Sequence, residues 1–464
     1  MNVLDYLITN ARIVDPQSGA DFSGSLGVKS GKIDGLYQAS ASLPTARETI
    51  DAEGGILAPG LIDIHAHSDN GISCADRLLA MGVTTAVSGN CGFSAVDFPG
   101  FFSAFEKDGY PINQLEQIGH GILRRAAGLS DINAAATRNQ IDKMKRLASE
   151  AYADGACGLS FGLEYDPGAP PQEVIEMAQT AADAGRFISI HGRHTKPDDL
   201  ESLYEALDLA VITGAPVIYS HLVYMFLGDA LKKALCVIEE YRKKKADIWV
   251  DSGMYSAFST FAGSPCFDES FFLDNEEEIR RLRAVTGVYC GQVMDREKYI
   301  DMRTKHSHES FIYDPGGNDD VFTAYSIPDV MVSTDCAEYK PGEGHPQGAA
   351  TYPYFFRMLV KERGQFSLHE ALRRCTLLPA KAARLETKGR LSPGMDGDLV
   401  VLDWERLREN ADFPGRGDPG APPVGVKYVF VNGVLSVKDE KRVPGVSAGF
   451  NIRSQIHRNF GVLR

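Results

Sequence analysis

The middle of the chain repeats one unit. A short apolar run ends in polar or glycine-rich residues and is followed by a dozen or more residues with helical spacing. The runs are ILAPGLIDIHAH (56 to 67), VTTAVSGNCG (83 to 92), LEQIGHG (115 to 121), CGLSFGLEY (157 to 165), FISIHGRH (187 to 194), PVIYSHL (216 to 222), IWVDSG (248 to 253) and VMVSTD (330 to 335). Helical patterns such as RNQIDKMKRLASEAYADG (138 to 155) and PQEVIEMAQTAADAG (171 to 185) lie between them, closed by glycine as helix C-termini commonly are. Eight strand-plus-helix units predict an α/β fold, a closed parallel (β/α)8 barrel of the TIM type, whose chemistry gathers at the carboxyl ends of the strands.

The ends of the chain follow a different rhythm. From Tyr6 to Ile33 short apolar stretches alternate with Asn, Pro-Gln-Ser-Gly and Ser-Gly turns, the punctuation of a small antiparallel unit. DLVVLD (398 to 403) and VKYVFVNGVLSV (426 to 437) are strand-like too, the second folded about the hairpin signal Asn432-Gly433. Both termini are therefore expected to build one small β-sandwich domain. The expected division is 1–55 and 386–464 for the sandwich and tail, and 56–385 for the barrel. Between the seventh and eighth runs stands a link over 253–329, much longer than an ordinary loop and expected to act as a lid or substrate wall. A peripheral decoration or an oligomer contact is the other reading of that link.

Composition narrows the class. The 464 residues are 44% apolar and 24% charged, which fits a globular chain with a large core and excludes disordered or coiled-coil types. Sixty-two acidic against 48 basic residues give a net charge of −14, which disfavours nucleic acid and anionic membrane as partners and suits an enzyme with a small-molecule substrate. A homo-oligomer is compatible with this reading. Neither an 18-residue apolar run nor a basic leader segment is visible, so a cytoplasmic location is expected. The eight cysteines are scattered without a C-x-x-C pair, which reads as reduced thiols.

Candidate chemistry sits at strand ends. His65 and His67 stand two apart at the end of the first run, and a strand puts residues i and i+2 on one face, so both imidazoles reach one ion. His120, His191 and His221 also fall at carboxyl ends of predicted strands. Asp335 closes the eighth run; alone it is equally a helix N-cap, but with the histidines it completes a ring of donors suited to zinc. No lysine occurs between Lys145 and Lys196, so a carbamylated lysine on the fourth strand is excluded as a metal bridge. Cys91, in SGNCG, is either a thiolate ligand or an inert buried thiol. Glu164, in GLEY, is either a bridging carboxylate or a hydrogen-bonding rim group.

With these residues in place, the sequence resembles the amidohydrolase superfamily, and within it the N-acyl-D-amino-acid deacylase (D-aminoacylase) branch. The matching text is APGLIDIHAHSD, VSGNCGFS, IGHGILR, GLSFGLEYDPG, HLV, STD, GHP, TLLPAKAARL, KGRLSPGMDGDLVVLD and VFVNG, in order over nearly the whole chain. The resemblance implies a barrel with a β-sandwich and zinc held tightly by Cys91, His191 and His221. It also implies a second, weaker metal position lined by His65, His67 and Asp335. Zinc then activates water, and Asp335 as general acid/base carries a proton from water to the departing nitrogen. The leading substrate class is N-acyl-D-amino acids. His120, His194 and His345 are candidates for groups beside the oxyanion, or ordinary hydrogen-bonded histidines.

Departures from that pattern concern the substrate. Where relatives commonly continue GHP with an arginine suited to clamping a carboxylate, this chain has Gln347, and a second arginine position holds Tyr354. Arg193 is the remaining candidate cation, with a structural ion pair as the alternative role. His345 falls in the GHP text itself, and Tyr255 and Ser259 are the closest match to the substrate-facing text after the seventh strand. Loss of the clamp makes a cyclic amide or imide hydrolase the alternative activity. A non-catalytic metabolite-binding barrel is the alternative of another class, although all six metal-facing positions carry competent side chains.

Overall fold

In the computed structural model, which describes residues 3–193 and 200–453, each of the eight apolar runs contains a strand. They are Leu61–Asp63, Val83–Ser88, Asn113–Glu116 continued by Ile118–Gly119, Gly158–Gly162, Phe187–His191, Val217–Tyr219, Ile248–Ser252 and Val330–Val332. Each pairs in parallel with the next in chain order. The ring closes between the last strand and the first. There the Asp335 N–H donates to the His65 carbonyl at 2.8 Å and the His67 N–H to the Cys336 carbonyl at 2.7 Å. Closure thus runs through the same short segments that carry the predicted site residues.

The barrel interior is filled by side chains, as in other eight-stranded barrels. Ile64, Val87, Leu115, Cys157, Phe187, Ile218 and Met331 form a buried cluster with Leu378, Ala382 and Ala383. The surrounding helices show why the spacing was readable. Helix Arg138–Asp154 buries Ile141, Met144, Ala148, Ala151 and Tyr152 along one stripe. A Thr137–Gln140 capping box opens it, and Gly155, at φ 118°, ends it in a conformation that a side chain would strain. Such a cap stabilises by about 1 kcal/mol and each fully buried apolar side chain by roughly 1.5–3 kcal/mol, so packing outweighs capping.

Strands from both termini make one nine-stranded sheet, in which Ile56–Pro59 pairs antiparallel with Leu399–Leu402. Its two ends close over a shared core containing Ile13, Leu26, Val28, Ile33, Leu57, Leu399, Val401 and Phe430. Tyr6 and Phe430, on strands that are not hydrogen-bonded neighbours, meet edge to face at 5.3 Å, which gives the sheet its sandwich form. Asn432 and Gly433, at φ 49° and 76°, turn the predicted hairpin. Where sandwich and barrel meet, the Lys388 ammonium is buried against Asp398 and lies 3.0 Å from Asp396. Asp398 also accepts from the Asn432 backbone N–H at 2.8 Å and from Asn113 on the third barrel strand at 3.3 Å.

The long link after the seventh strand folds in its own right. Phe258–Phe261, Ser310–Tyr313 and Leu282–Ala284 form an antiparallel sheet over a separate core that includes Phe267, Phe272, Tyr299 and Phe311. Among the described residues no helix is long and apolar enough to cross a membrane, and all eight cysteines are free.

Candidate metal centre

Two donor sets converge at the barrel mouth and share one sulfur. His65, His67, Cys91 and Asp335 form one, and Cys91, His191 and His221 the other; within each set the ligand atoms lie within 4.8 Å of one another. Cys91 Sγ is 3.3 Å from His65 Nε2 and 3.8 Å from His221 Nε2. Asp335 Oδ1 is 3.4 Å from His65 Nε2 and 3.3 Å from His67 Nε2.

Local backbone geometry aims these side chains inward. Cys91, His221 and Asp335 all have left-handed backbones, with φ 54°, 35° and 50°. Each stands directly beyond a barrel strand or the short segment that ends it. A non-glycine residue in this region costs of order 1 kcal/mol or more, and such strain persists where the surrounding structure holds it. The chain crowds here as well. A Cβ on Gly162 would lie only 2.0 Å from the Cys91 carbonyl oxygen, so only glycine fits.

Burial and mutual charge set the protonation states. Burial opposes the Cys91 thiolate, but the surrounding His65, His191 and His221 rings outweigh it and hold the thiol well below its usual range. Burial likewise opposes charge on His67 and His191, yet Asp335 and Cys91 raise the first to about 10, and Cys91 and Glu164 raise the second to about 10. Burial works against an ionised Asp335 too; the hydrogen bond from His67 and the charges of His65 and His221 keep it ionised. The cluster is a thiolate and a carboxylate held among imidazoles.

Two ring nitrogens remain without partners. His191 Nδ1 and His221 Nδ1 are buried and make no hydrogen bond, while His65 Nδ1 and Asp251 Oδ2 have only each other, at 3.6 Å. Buried polar atoms are almost always satisfied, so their concentration here fits a site that takes a cation. A thiolate with two imidazoles and a carboxylate nearby is a donor set suited to zinc. Asp251, which the sequence did not single out, fixes the arrangement from behind. Its carboxylate accepts from Ser333 Oγ at 2.6 Å and from the His221 N–H at 2.9 Å, and its other oxygen approaches His65 Nδ1 at 3.6 Å.

The site opens into a cavity of about 480 Å³. His67, Cys91, Glu164, His191, His221 and Asp335 reach its wall. Phe258, Ser259, Thr260, Phe261 and Ser310, all from the long link, complete one side of it. Glu164 stands outside both donor sets. It lies 3.1 Å from His191 Nε2 and accepts from Ser264 Oγ at 2.9 Å.

Four residues expected to contact substrate are not among those lining this cavity. Gln347 Nε2 donates to the Asp335 carbonyl at 2.8 Å and its Oε1 accepts from Tyr224 at 2.5 Å. His345 accepts from the Gln347 N–H at 3.0 Å and donates from Nε2 to the Ala257 carbonyl at 3.0 Å, and burial pushes its pKa down to about 4. Tyr255 packs on His345, Tyr354 and Phe413. Arg193 forms a two-point ion pair with Glu205, at 2.8 and 3.1 Å, and donates to the Pro167 carbonyl. His120 is buried against Glu173 at 3.0 Å, which is the structural role, and His194 lies outside the described residues. Among the wall residues, Asp69, Phe93, Tyr165, Tyr224, Glu338 and Tyr339 were missed. A signal existed only for Asp69, two residues beyond the H-x-H pair, and for Tyr165, beside Glu164.

A closed (β/α)8 barrel, a sandwich from both termini and a histidine, cysteine and aspartate cluster at the carboxyl face are what the chain brings to a comparison with known proteins. The profile of the amidohydrolase family matches residues 272–437. The D-aminoacylase of Alcaligenes xylosoxydans xylosoxydans is 26% identical over 96% of each chain. The solved N-acyl-D-glutamate deacylase of Bordetella bronchiseptica, complexed with zinc and a phosphonate inhibitor, aligns at TM-score 0.85 and 26% identity over 98% of this chain and all of that one. A D-hydantoinase from Thermus sp. aligns at TM-score 0.65 and 17% identity, a likeness of fold. Over nearly its whole length the chain is similar to enzymes of the D-aminoacylase and N-acyl-D-amino-acid deacylase kind.

Proposed function

We propose that this protein hydrolyses the amide C–N bond of an N-acyl-D-amino-acid unit with the help of zinc. Cys91, His191 and His221 hold the ion tightly, and His65, His67 and Asp335 with the shared Cys91 sulfur form a second, weaker position. The sharing of one thiolate between two donor sets, beside an ionised Asp335 that faces the cavity, carries this reading. Bound zinc supplies Lewis-acid polarisation of the acyl carbonyl and lowers the pKa of water to about 7.

The chain's own residues do the rest. Asp335 takes the proton of the attacking water at Oδ1, where His65 and His67 hold the carboxylate, and returns it to the departing nitrogen. Gln347 fixes the backbone of Asp335, and the link residues 258–261 shield the reacting bond from bulk water. Domain limits at 1–55, 56–385 and 386–464 are part of the proposal, as is a cytoplasmic location, supported by eight free thiols. The cyclic-amide alternative rests on the loss of the carboxylate-clamping arginine, whose place Gln347 takes with its side chain bonded to the Asp335 carbonyl. Asp335→Asn should lower turnover of N-acetyl-D-amino acid derivatives by about a thousandfold in the zinc-loaded enzyme. Full activity in that variant would sink the mechanism.

A further inference from the structure

Besides Glu164 and Asp335, the cavity wall carries the carboxylates of Asp69 and Glu338, with aromatic rings from Phe93, Tyr165, Phe261 and Tyr339. The described residues lining the cavity include neither lysine nor arginine. Two guanidinium groups next to wall residues are engaged elsewhere. Arg193, two residues past His191, is paired with Glu205, and Arg77 donates to the Ala337 carbonyl at 2.7 Å. One Glu338 oxygen accepts from the Cys74 N–H at 2.7 Å, while Asp69 Oδ1 is buried without a hydrogen-bond partner.

A substrate carboxylate entering this cavity would lose its water beside the Glu338 carboxylate and find neither lysine nor arginine on the described wall. That is unfavourable at every step. A primary or secondary amide in the same place has no charge and presents N–H donors to the Glu338 carboxylate. The Cys91 thiolate and Asp335 carboxylate already match the charge of a bound divalent ion.

We infer that the substrate is an N-acyl-D-aminoacyl compound whose own carboxyl is masked as an amide, with Glu338 as the group that excludes the free acid. This rests on the deacylase reading above and names its substrate class. An acylated D-residue in amide linkage is the chemistry that fits.

The test uses a matched pair that the enzyme does not hydrolyse, N-methanesulfonyl-D-methionine and its carboxamide, titrated calorimetrically into the zinc-loaded protein. The carboxamide should bind at least tenfold more tightly. Equal affinity, tighter binding of the acid, or no binding by either overturns the inference. In parallel, kcat/KM is measured for N-acetyl-D-methionine and N-acetyl-D-methioninamide. If the carboxamide binds tenfold tighter but neither acetyl compound is hydrolysed, the deacylase reading fails while the preference for a masked carboxyl stands. Glu338→Gln keeps an acceptor for the Cys74 N–H and removes one wall charge, so it should narrow the gap at least threefold. An unchanged gap overturns the role of Glu338.

Discussion

Two clusters of buried charge lie in this molecule, and they are built on opposite plans. At the junction of sandwich and barrel, Lys388 is enclosed by Asp396 and Asp398, and Asp398 also takes hydrogen bonds from Asn432 and Asn113. Every one of those charged atoms has a partner. At the barrel mouth, Cys91, His65, His191 and His221 are buried as deeply, yet His191 Nδ1 and His221 Nδ1 make no hydrogen bond and His65 Nδ1 meets Asp251 only at 3.6 Å. The mouth also concentrates left-handed backbone at Cys91, His221 and Asp335. A structural cluster satisfies itself, whereas the mouth keeps donors in reserve at a cost in backbone strain, which is the pattern expected where a bound ion completes the set.

Breaking the first cluster should cost stability and leave the second intact. Lys388→Met leaves two buried carboxylates short of their cation and should destabilise the fold by about 3–5 kcal/mol in urea unfolding, with zinc content per folded chain unchanged. A matching loss of zinc would mean that the two clusters are not independent.

The next effect is a pH dependence near the mouth. His345 has its pKa lowered from 6.5 to about 4 by burial. The unfolded imidazole therefore takes up its proton at a higher pH than the folded one, so stability rises with pH between about 4 and 6.5 and is lost as pH falls through that window. The contribution is on the order of 3 kcal/mol. His345→Asn should flatten this part of the stability profile, and an unaltered slope would place the titrating group elsewhere.

The smallest effect concerns the brace between wall and base. Gln347→Leu removes the hydrogen bonds to the Asp335 carbonyl and Tyr224 while keeping volume, and should lower kcat about tenfold with KM and zinc content little changed. A rise in KM alone would return Gln347 to the substrate.

The sequence made the barrel legible because each strand had a contiguous apolar run and each helix a 3.6-residue stripe. It made the candidate metal donors legible because they sit at the ends of those runs. Side-chain direction was not legible in the same way. Gln347, His345 and Tyr255 follow strand ends in the sequence but turn into a hydrogen-bonded layer behind Asp335, and Arg193 turns to Glu205. That choice depends on distant partners such as Tyr224 and Ala257, which spacing along the chain does not report. The link at 253–329 hid its small sheet for a related reason. Its strands have only three or four residues, and their pairing partners lie up to about fifty residues away.

The central claim is that the two donor sets at the mouth hold zinc through the shared thiolate. Elemental analysis of the purified native protein beside Cys91→Ala tests it most directly. The account predicts tightly bound zinc in the native chain and its loss, together with turnover, in a variant that remains folded. A folded Cys91→Ala protein that keeps its zinc and hydrolyses its substrate at the native rate would contradict it.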